Sequence, residues 1–275
     1  MSVPTGKDFN HLWVSPLVKV RRNMVGRIIG NISNTYKIKT NEVIYEAYAR
    51  GRFKNEEITP LVGDIVEMQI TDSIMNTAII EKVKERKNEI KRPKMANIDQ
   101  IVFIISTKNP KPDLLMLDKQ LAYAEMLGIE PIIVINKIDL QDTYKDIQKL
   151  YTNVGYKTIV TSAKQEQGIE ELKLLLLNKI SVFSGNSGVG KSSIINALFG
   201  VSKTQEGEIS KKNKKGKNTT TDTKLYELTE NTYIADTPGF SSFELDEIES
   251  KDLDKYFREF KNKILDCEFV RMYTY

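Results

Sequence analysis

The most constraining feature of the sequence is a glycine-rich loop between an apolar strand and a helix. Residues 185–192 read Gly-Asn-Ser-Gly-Val-Gly-Lys-Ser, which fits the phosphate-loop (P-loop) pattern G-x-x-x-x-G-K-[ST] at every fixed position. Apolar residues within 180–183 predict a strand before the loop, and residues 193–198 predict a helix after it. This order predicts a site where backbone N–H groups and a helix N-terminus bind phosphate.

Two side chains of this loop are expected to act on a bound nucleotide. Lys191 is placed to reach the β- and γ-phosphates, and the Ser192 hydroxyl is placed to bind Mg²⁺. The predicted phosphate-binding residues are Gly185, Asn186, Ser187, Gly188, Val189, Gly190, Lys191, Ser192 and Ser193.

A second motif predicts which base is bound. Residues 136–139 read Asn-Lys-Ile-Asp after the apolar strand 131–135, and N-K-x-D is the guanine-reading pattern of GTPases. Asp139 can accept hydrogen bonds from guanine N1–H and N2–H₂, whereas adenine offers neither donor. An unpaired buried carboxylate costs about 1–3 kcal/mol or more, which disfavours an ATPase. The predicted base-binding residues are Asn136, Lys137, Ile138 and Asp139.

A third stretch of the guanine site follows the strand predicted over 158–160. Residues 161–164 read Thr-Ser-Ala-Lys and resemble the S-A-K motif, whose backbone N–H contacts guanine O6. This adds Ser162, Ala163 and Lys164 to the base-binding set.

The switch elements of a GTPase are predicted further along the chain. Residues 236–239 read Asp-Thr-Pro-Gly and resemble the D-x-x-G motif, in which Asp236 binds Mg²⁺ and the Gly239 N–H senses the γ-phosphate. Thr219, Thr220 and Thr221 stand where a switch threonine completes the Mg²⁺ coordination. The sequence does not choose among the three, and Thr220 is taken as the candidate metal ligand and catalytic residue.

These motifs stand in an unusual linear order. Ordinary GTPases run from phosphate loop through switch threonine and D-x-x-G to N-K-x-D and S-A-K, but here the last two come first. A circular permutation explains the order, because the termini of a domain often lie close together. From residue 98 onward, strands alternate with helices, so we predict an α/β, circularly permuted P-loop GTPase domain with a parallel sheet.

The region before residue 90 follows a different pattern. Five short strand signals separated by turn residues predict a small all-β barrel, for which an OB-fold is favoured over an SH3-like barrel or a simple docking module. The predicted strands are 25–29, 36–39, 43–49, 64–70 and 78–83. The basic stretch 82–94 is interpreted as a linker, either a solvated connector or a stripe that faces RNA phosphates.

Composition excludes several classes of protein. The chain has 275 residues, a net charge of +4, one cysteine (Cys267) and one histidine (His11). It therefore lacks the residues for an intrachain disulfide or a Cys-rich metal site, and no apolar run reaches the roughly 18 residues of a membrane span. We expect a cytoplasmic protein without membrane contact.

Taken together, the features resemble one known family. The permuted order, the N-terminal barrel, Gly185–Ser193, the triple threonine after Gly216-Lys217 and the Asp236–Phe240 stretch are similar to the RsgA (YjeQ/YloQ) family of bacterial small-subunit biogenesis GTPases. The resemblance covers about Met24 to Cys267. It implies GTP/GDP and Mg²⁺ as ligands, hydrolysis stimulated by the small ribosomal subunit, and binding of that subunit and its rRNA, by a protein expected to be a monomer.

The sequence departs from the family pattern at two places. The family histidine before the threonines, proposed to position the attacking water, is replaced by Asn218, and Phe240 stands where Ras-like enzymes use glutamine. We therefore assign the catalytic set as Lys191, Asn218, Thr220 and Gly239, and expect slow intrinsic hydrolysis. The family also ends in a zinc domain, but after Cys267 this sequence has no further Cys or His, so no zinc is expected.

The resulting domain prediction has four parts. It places an extension at 1–23, an OB-fold RNA-binding domain at 24–90, the permuted GTPase domain at 91–243, and a C-terminal helix with a remnant of the zinc domain at 244–275. The residues of 247–263 predict that helix as amphipathic. The leading function is GTP hydrolysis coupled to late small-subunit assembly, and the alternative is a nucleotide-gated RNA-binding module with little turnover.

Overall fold

In the computed structural model of the chain, the first strands close into a barrel. The residues described are 23–41, 43–54, 58–91, 93–200, 223–236 and 248–260. The barrel strands are β1 (Asn23–Ile32), β2 (Thr35–Lys39), β3 (Ile44–Ala49), β4 (Ile65–Asp72) and β5 (Thr77–Val83), with a 3₁₀ helix at Gly51–Lys54. Their closed order is β1-β2-β3-β5-β4, in which β3 and β5 run parallel and the other pairs run antiparallel. The five-stranded OB-type barrel predicted from the sequence is confirmed.

Alternating side chains build the core of this barrel. Along each strand one residue in two points inward, as the period of a half-buried strand requires. Six inward side chains have no exposed surface: Ile28, Ile38, Ala47, Val66, Met68 and Ile80.

The basic stretch after β5 is more ordered than a linker. It forms a hairpin of β6 (Glu89–Lys91) and β7 (Lys94–Ala96). In the part of this stretch before the hairpin, Arg86 donates through Nε and Nη2 to the two carboxylate oxygens of Asp64, each at 2.8 Å, and Asp64 is fully buried. Lys87 is paired with Asp99 at 3.0 Å. Arg86 therefore ties this stretch to the buried Asp64 and does not form part of an RNA-facing stripe, whereas the Lys87 pair lies at the surface.

After the barrel, the chain forms a six-stranded sheet flanked by helices. Its strands are β8 (Gln100–Ser106), β9 (Glu130–Asn136), β10 (Lys157–Val160), β11 (Ile180–Ser184), β12 (Leu225–Thr229) and β13 (Thr232–Asp236). The helices are α1 (Leu114–Met126), α2 (Tyr144–Val154), α3 (Ile169–Leu176) and α4 (Lys191–Leu198). The order β10-β9-β8-β11-β13-β12 is parallel except for β12, which pairs antiparallel with β13.

This sheet is buried on both faces, which explains its continuous apolar strands. Along β8, Phe103 belongs to the cluster that packs on α1 and α2, whereas Val102 and Ile104 belong to the cluster that packs on α3 and α4. The predicted parallel sheet is confirmed. The edge strand β12, by contrast, was not predicted.

The barrel and the sheet meet at the β12–β13 hairpin. Gly30 of β1 forms a backbone bridge with Lys224, and Lys39 of β2 forms an ion pair with Glu227. The Arg27 guanidinium lies 5.9 Å from the centre of the Tyr233 ring. Burial at this contact lowers the pKa of Arg27 from its ordinary value, although an arginine remains charged in proteins.

The segment after the sheet differs from the predicted amphipathic helix. Among the described residues 248–260 it forms only a 3₁₀ helix, Ser250–Tyr256, and Phe257 is extended. Tertiary contacts explain the break. Arg258 pairs with Glu125 of α1, donates to the Gly155 carbonyl at 2.7 Å, and lies 4.4 Å above the Tyr156 ring. These contacts hold Arg258 in a position where the helix does not continue past Tyr256.

Within the described ranges, none of the helices has both the length and the apolar character that crossing a bilayer requires. Cys267 and His11 lie outside those ranges, as do 1–22 and 261–275. The division of the chain at residues 90 and 243 stays a prediction.

Candidate nucleotide-binding site

The predicted phosphate loop lies at the carboxyl edge of the sheet, between β11 and α4. Two of its glycines have positive φ angles, +83° at Gly188 and +96° at Gly190. A Cβ on Gly190 would come within 2.3 Å of Asn136 Nδ2, so only glycine fits there. Helix α4 begins directly afterwards at Lys191, which turns its first N–H groups toward the loop. The residues that face solvent around this cradle are Asn186, Ser187, Gly188, Ser192 and Ser193.

Asn136 joins three loops beneath this cradle. Its Nδ2 donates to the Val189 carbonyl at 2.9 Å, which reaches the phosphate loop. Its Oδ1 accepts from Thr161 Oγ1 at 3.1 Å and from the Ala163 N–H at 3.3 Å, which reach the loop after β10. The side chain is 2% exposed, so these bonds form away from water. Asn136 thus connects the predicted base-binding segments to the predicted phosphate loop.

Replacing Asn136 with alanine is expected to destabilise the fold and weaken nucleotide binding together. The Val189 carbonyl would lose its buried donor, and an unsatisfied buried group costs about 1–3 kcal/mol. Urea unfolding gives the free energy of unfolding, and calorimetry gives the affinity for GDP. Asn153→Ala, at an exposed position of α2, is the matched control. An Asn136→Ala variant with unchanged stability and affinity would contradict the joining role.

Lys137 and Asp139 are held in place from neighbouring loops. Lys137 has a φ of +63°, and its Nζ donates to the Gly188 carbonyl at 2.6 Å and to the Asn109 carbonyl. Ser162 Oγ donates to Asp139 Oδ1 at 2.7 Å. The Ile138 N–H donates to the Thr161 carbonyl at 3.3 Å, so the two loops predicted to bind the base are joined through both backbone and side chains. Lys164 is exposed beside them.

A further loop that was not predicted completes this wall of the site. Residues 107–110 follow β8, which ends at Ser106, at the same edge of the sheet, and the Thr107 hydroxyl donates to the Lys137 carbonyl at 2.7 Å. Ser106 Oγ donates to the Pro110 carbonyl at 2.8 Å. The signal was available in the sequence, since these polar residues end a strand of the sheet that carries the other motifs.

Asp236 and Lys191 form the opposite end of the site. Lys191 Nζ lies 3.0 Å from Asp236 Oδ1, and both side chains are largely buried. Oδ1 itself is shielded from solvent and accepts no well-aligned hydrogen bond from the described residues, although it contacts the ammonium. A buried carboxylate oxygen with unused acceptor capacity fits a hard cation such as Mg²⁺, and the hydroxyl of Ser192, the residue after Lys191, would be a second oxygen ligand of the right type. The donor set therefore fits the metal.

The remaining predicted site residues lie outside the described ranges. They are Asn218, Thr219, Thr220, Thr221, Gly239 and Phe240.

Comparison with known proteins identifies the family. A family model described as RsgA GTPase matches residues 83–246, and one described as RsgA N-terminal domain matches residues 25–79. The chain belongs to the RsgA GTPase family. The small ribosomal subunit biogenesis GTPase RsgA of Alkaliphilus metalliredigens is 37% identical over 247 residues, which cover 89% of this chain and 85% of the relative. The RsgA of Caldanaerobacter subterraneus is 39% identical over 246 residues, covering 89% and 82%.

Solved structures of RsgA relatives share the fold. YjeQ from Thermotoga maritima is 34% identical with a TM-score of 0.74, over 88% of this chain and 84% of that one. YloQ, described as a circularly permuted GTPase, is 30% identical with a TM-score of 0.73, over 93% and 85%. The permuted order read from the sequence of this RsgA-family chain is thereby confirmed.

Proposed function

We propose that this chain binds GTP at the carboxyl edge of its sheet and hydrolyses it to GDP and phosphate while assisting assembly of the small ribosomal subunit. One observation carries the proposal. Asn136 connects a guanine-reading loop to a phosphate loop through buried hydrogen bonds at 2.9–3.3 Å. The base and the phosphates of one nucleotide would thus bind to loops that Asn136 holds together.

Guanine selection is assigned to Asp139. Its Oδ1 already accepts from Ser162 Oγ, which orients the carboxylate before the base arrives. A preoriented acceptor loses less entropy on binding than a mobile one. The Lys137 stem would cover the base, since its ammonium is fixed on the Gly188 and Asn109 carbonyls.

Phosphate binding is assigned to the loop 185–192 and to Lys191. The Lys191 ammonium is paired with Asp236, and the phosphate oxygens of a nucleotide would compete for it because they carry more negative charge. Mg²⁺ would be held by Ser192, Asp236 and one of the switch threonines, Thr220 being the candidate, and would neutralise charge on the phosphates. Asn218 is proposed to orient the attacking water and the Gly239 N–H to sense the γ-phosphate.

Partner and location are also proposed. The relatives are named for small ribosomal subunit biogenesis, and an OB-type barrel commonly binds RNA. We therefore place contact with the subunit and its rRNA on the barrel, in the cytoplasm, with the chain acting as a monomer.

The test is co-sedimentation with purified small subunits, in GDP and in a non-hydrolysable GTP analogue, with phosphate release from GTP measured in parallel. Slow release by the chain alone, faster release with subunits, and tighter binding in the analogue are the expected results. Asparagine cannot accept a proton near neutral pH, so Asn218 favours the second candidate, a nucleotide-gated RNA binder. Binding without stimulated release would establish that candidate, and the absence of binding in either state would contradict both.

A further inference from the structure

The hairpin tip of the barrel, residues 72–77 from the end of β4 to the start of β5, presents two large apolar side chains to solvent. Ile74 is 92% exposed and Met75 is 71% exposed. Single exposed apolar residues are normal on a protein surface, but adjacent ones at the end of a projecting turn leave apolar area that no part of the described chain covers.

The hairpin tip is also held rigid. Asp72 Oδ1 accepts from the Ile74 N–H at 2.8 Å and from the Met75 N–H at 3.0 Å. The hydroxyls of Thr71 and Thr77 share a hydrogen bond of 2.7 Å across its base. On its far side the Asn76 carbonyl accepts from the Glu46 N–H of β3 at 2.9 Å. The backbone of the apolar pair is therefore preorganised, which lowers the ordering cost of binding a partner.

Charge around the hairpin tip distinguishes the kind of partner. Residues 69–77 contain no Lys or Arg, and their one charged side chain is Asp72. On the neighbouring strand β3, Glu46 pairs with Thr77. The nearest cation in the paired strands is Lys37 of β2, which is one strand further away and pairs with Glu46. Binding of RNA draws on cations for the phosphates and on aromatic rings for the bases, and the hairpin tip has neither. Apolar residues with acidic neighbours suit a basic protein.

We propose that the hairpin tip is a protein-docking element, in which Ile74 and Met75 enter an apolar pocket on a basic protein of the small ribosomal subunit. Methionine and buried aliphatic side chains are typical of the centre of such interfaces. The inference rests on the proposed function for the source of the partner. In this proposal the tip of the barrel contacts protein, and the other surfaces of the barrel remain for RNA.

The first test compares small-subunit affinity of the wild-type chain with that of the double variant Ile74→Ser, Met75→Ser. Co-sedimentation in the GTP analogue is expected to weaken about 10- to 100-fold, which corresponds to about 1.4–2.8 kcal/mol. The matched control is Leu115→Ser, Leu174→Ser, whose side chains on α1 and α3 are 67% and 68% exposed. Both double variants are expected to bind GTP as the wild type does. Unchanged subunit affinity of the tip variant would overturn the inference.

The second test identifies the partner directly. Ser73 is exposed between the strands and Ile74, so Ser73→p-benzoylphenylalanine places a photo-crosslinker at the hairpin tip without removing the apolar pair. A crosslink to a basic subunit protein is the expected result, whereas a crosslink to rRNA alone would overturn the choice of protein. If the wild-type chain itself fails to co-sediment, the proposed function is contradicted and the inference with it. Loss confined to the tip variant separates the two cases.

Discussion

Lys191→Ala is expected to lower the affinity for GTP by about 100-fold or more. The ammonium is assigned to the β- and γ-phosphates, and hydrogen bonds to charged groups contribute about 1.5–3 kcal/mol each, so the loss of two corresponds to about 100- to 20,000-fold. The substitution also leaves Asp236 Oδ1 without the ammonium that lies 3.0 Å away, so the fold itself should lose stability.

Titration calorimetry with GTP and GDP measures this effect. Lys145→Ala is the matched control. Lys145 is exposed, pairs with Asp142 and lies over the Tyr144 ring, and it is no part of the predicted site, so its loss should leave affinity unchanged. Lys191→Arg keeps the positive charge. It should preserve the ion pair with Asp236 better than it preserves the contact with the phosphates, because the guanidinium is larger and planar. Wild-type GTP affinity in Lys191→Ala would refute the assignment of this loop to phosphate.

Asp139→Asn is expected to exchange guanine for xanthine preference. The carboxylate accepts two hydrogen bonds from guanine, and its loss should weaken GTP binding by about 100-fold or more on the same scale. An amide offers one acceptor and one donor, and the donor matches the second carbonyl of xanthine. The side chains are nearly the same size, and the Ser162 hydroxyl that bonds Oδ1 at 2.7 Å can still donate to the amide oxygen.

Competition between GTP and XTP for a fluorescent guanine nucleotide measures the exchange. Asp142→Asn, an exposed position three residues along the same loop, should leave both affinities unchanged. Retained guanine preference in Asp139→Asn would show that another group reads the base, and equal loss for both nucleotides would show that the loop had lost its shape.

Much of the candidate site could be predicted because its residues stand at fixed spacings within short motifs. The glycines of the phosphate loop and the residues Asn136 and Asp139 each follow a strand, and parallel strands bring their carboxyl ends to one edge. The barrel was predictable for a similar reason, since alternation and turns are local signals.

The features that were missed depend on contacts between distant residues. The sequence placed Arg86 in a basic stripe. The buried carboxylate of Asp64 that binds it lies 22 residues earlier in the chain, so the local pattern does not reveal the pair. The 3₁₀ helix Ser250–Tyr256 ends where Arg258 reaches Glu125 and Gly155, more than a hundred residues earlier. Strand β12 is an edge strand whose pairing with β13 carries no strong local pattern. Such long-range contacts override local propensity.

The attachment of the barrel to the β12–β13 hairpin has a consequence for how nucleotide state is communicated. That hairpin lies in the sequence between the predicted switch residues Thr219–Thr221 and Gly239, and its strand β13 ends at Asp236 in the site. The barrel is fastened to the same hairpin by the Lys39–Glu227 ion pair and the Gly30–Lys224 bridge. If bound phosphates displace the hairpin, these contacts would move the barrel with it. The orientation of the barrel is therefore expected to depend on which nucleotide is bound, through contacts made directly with the hairpin.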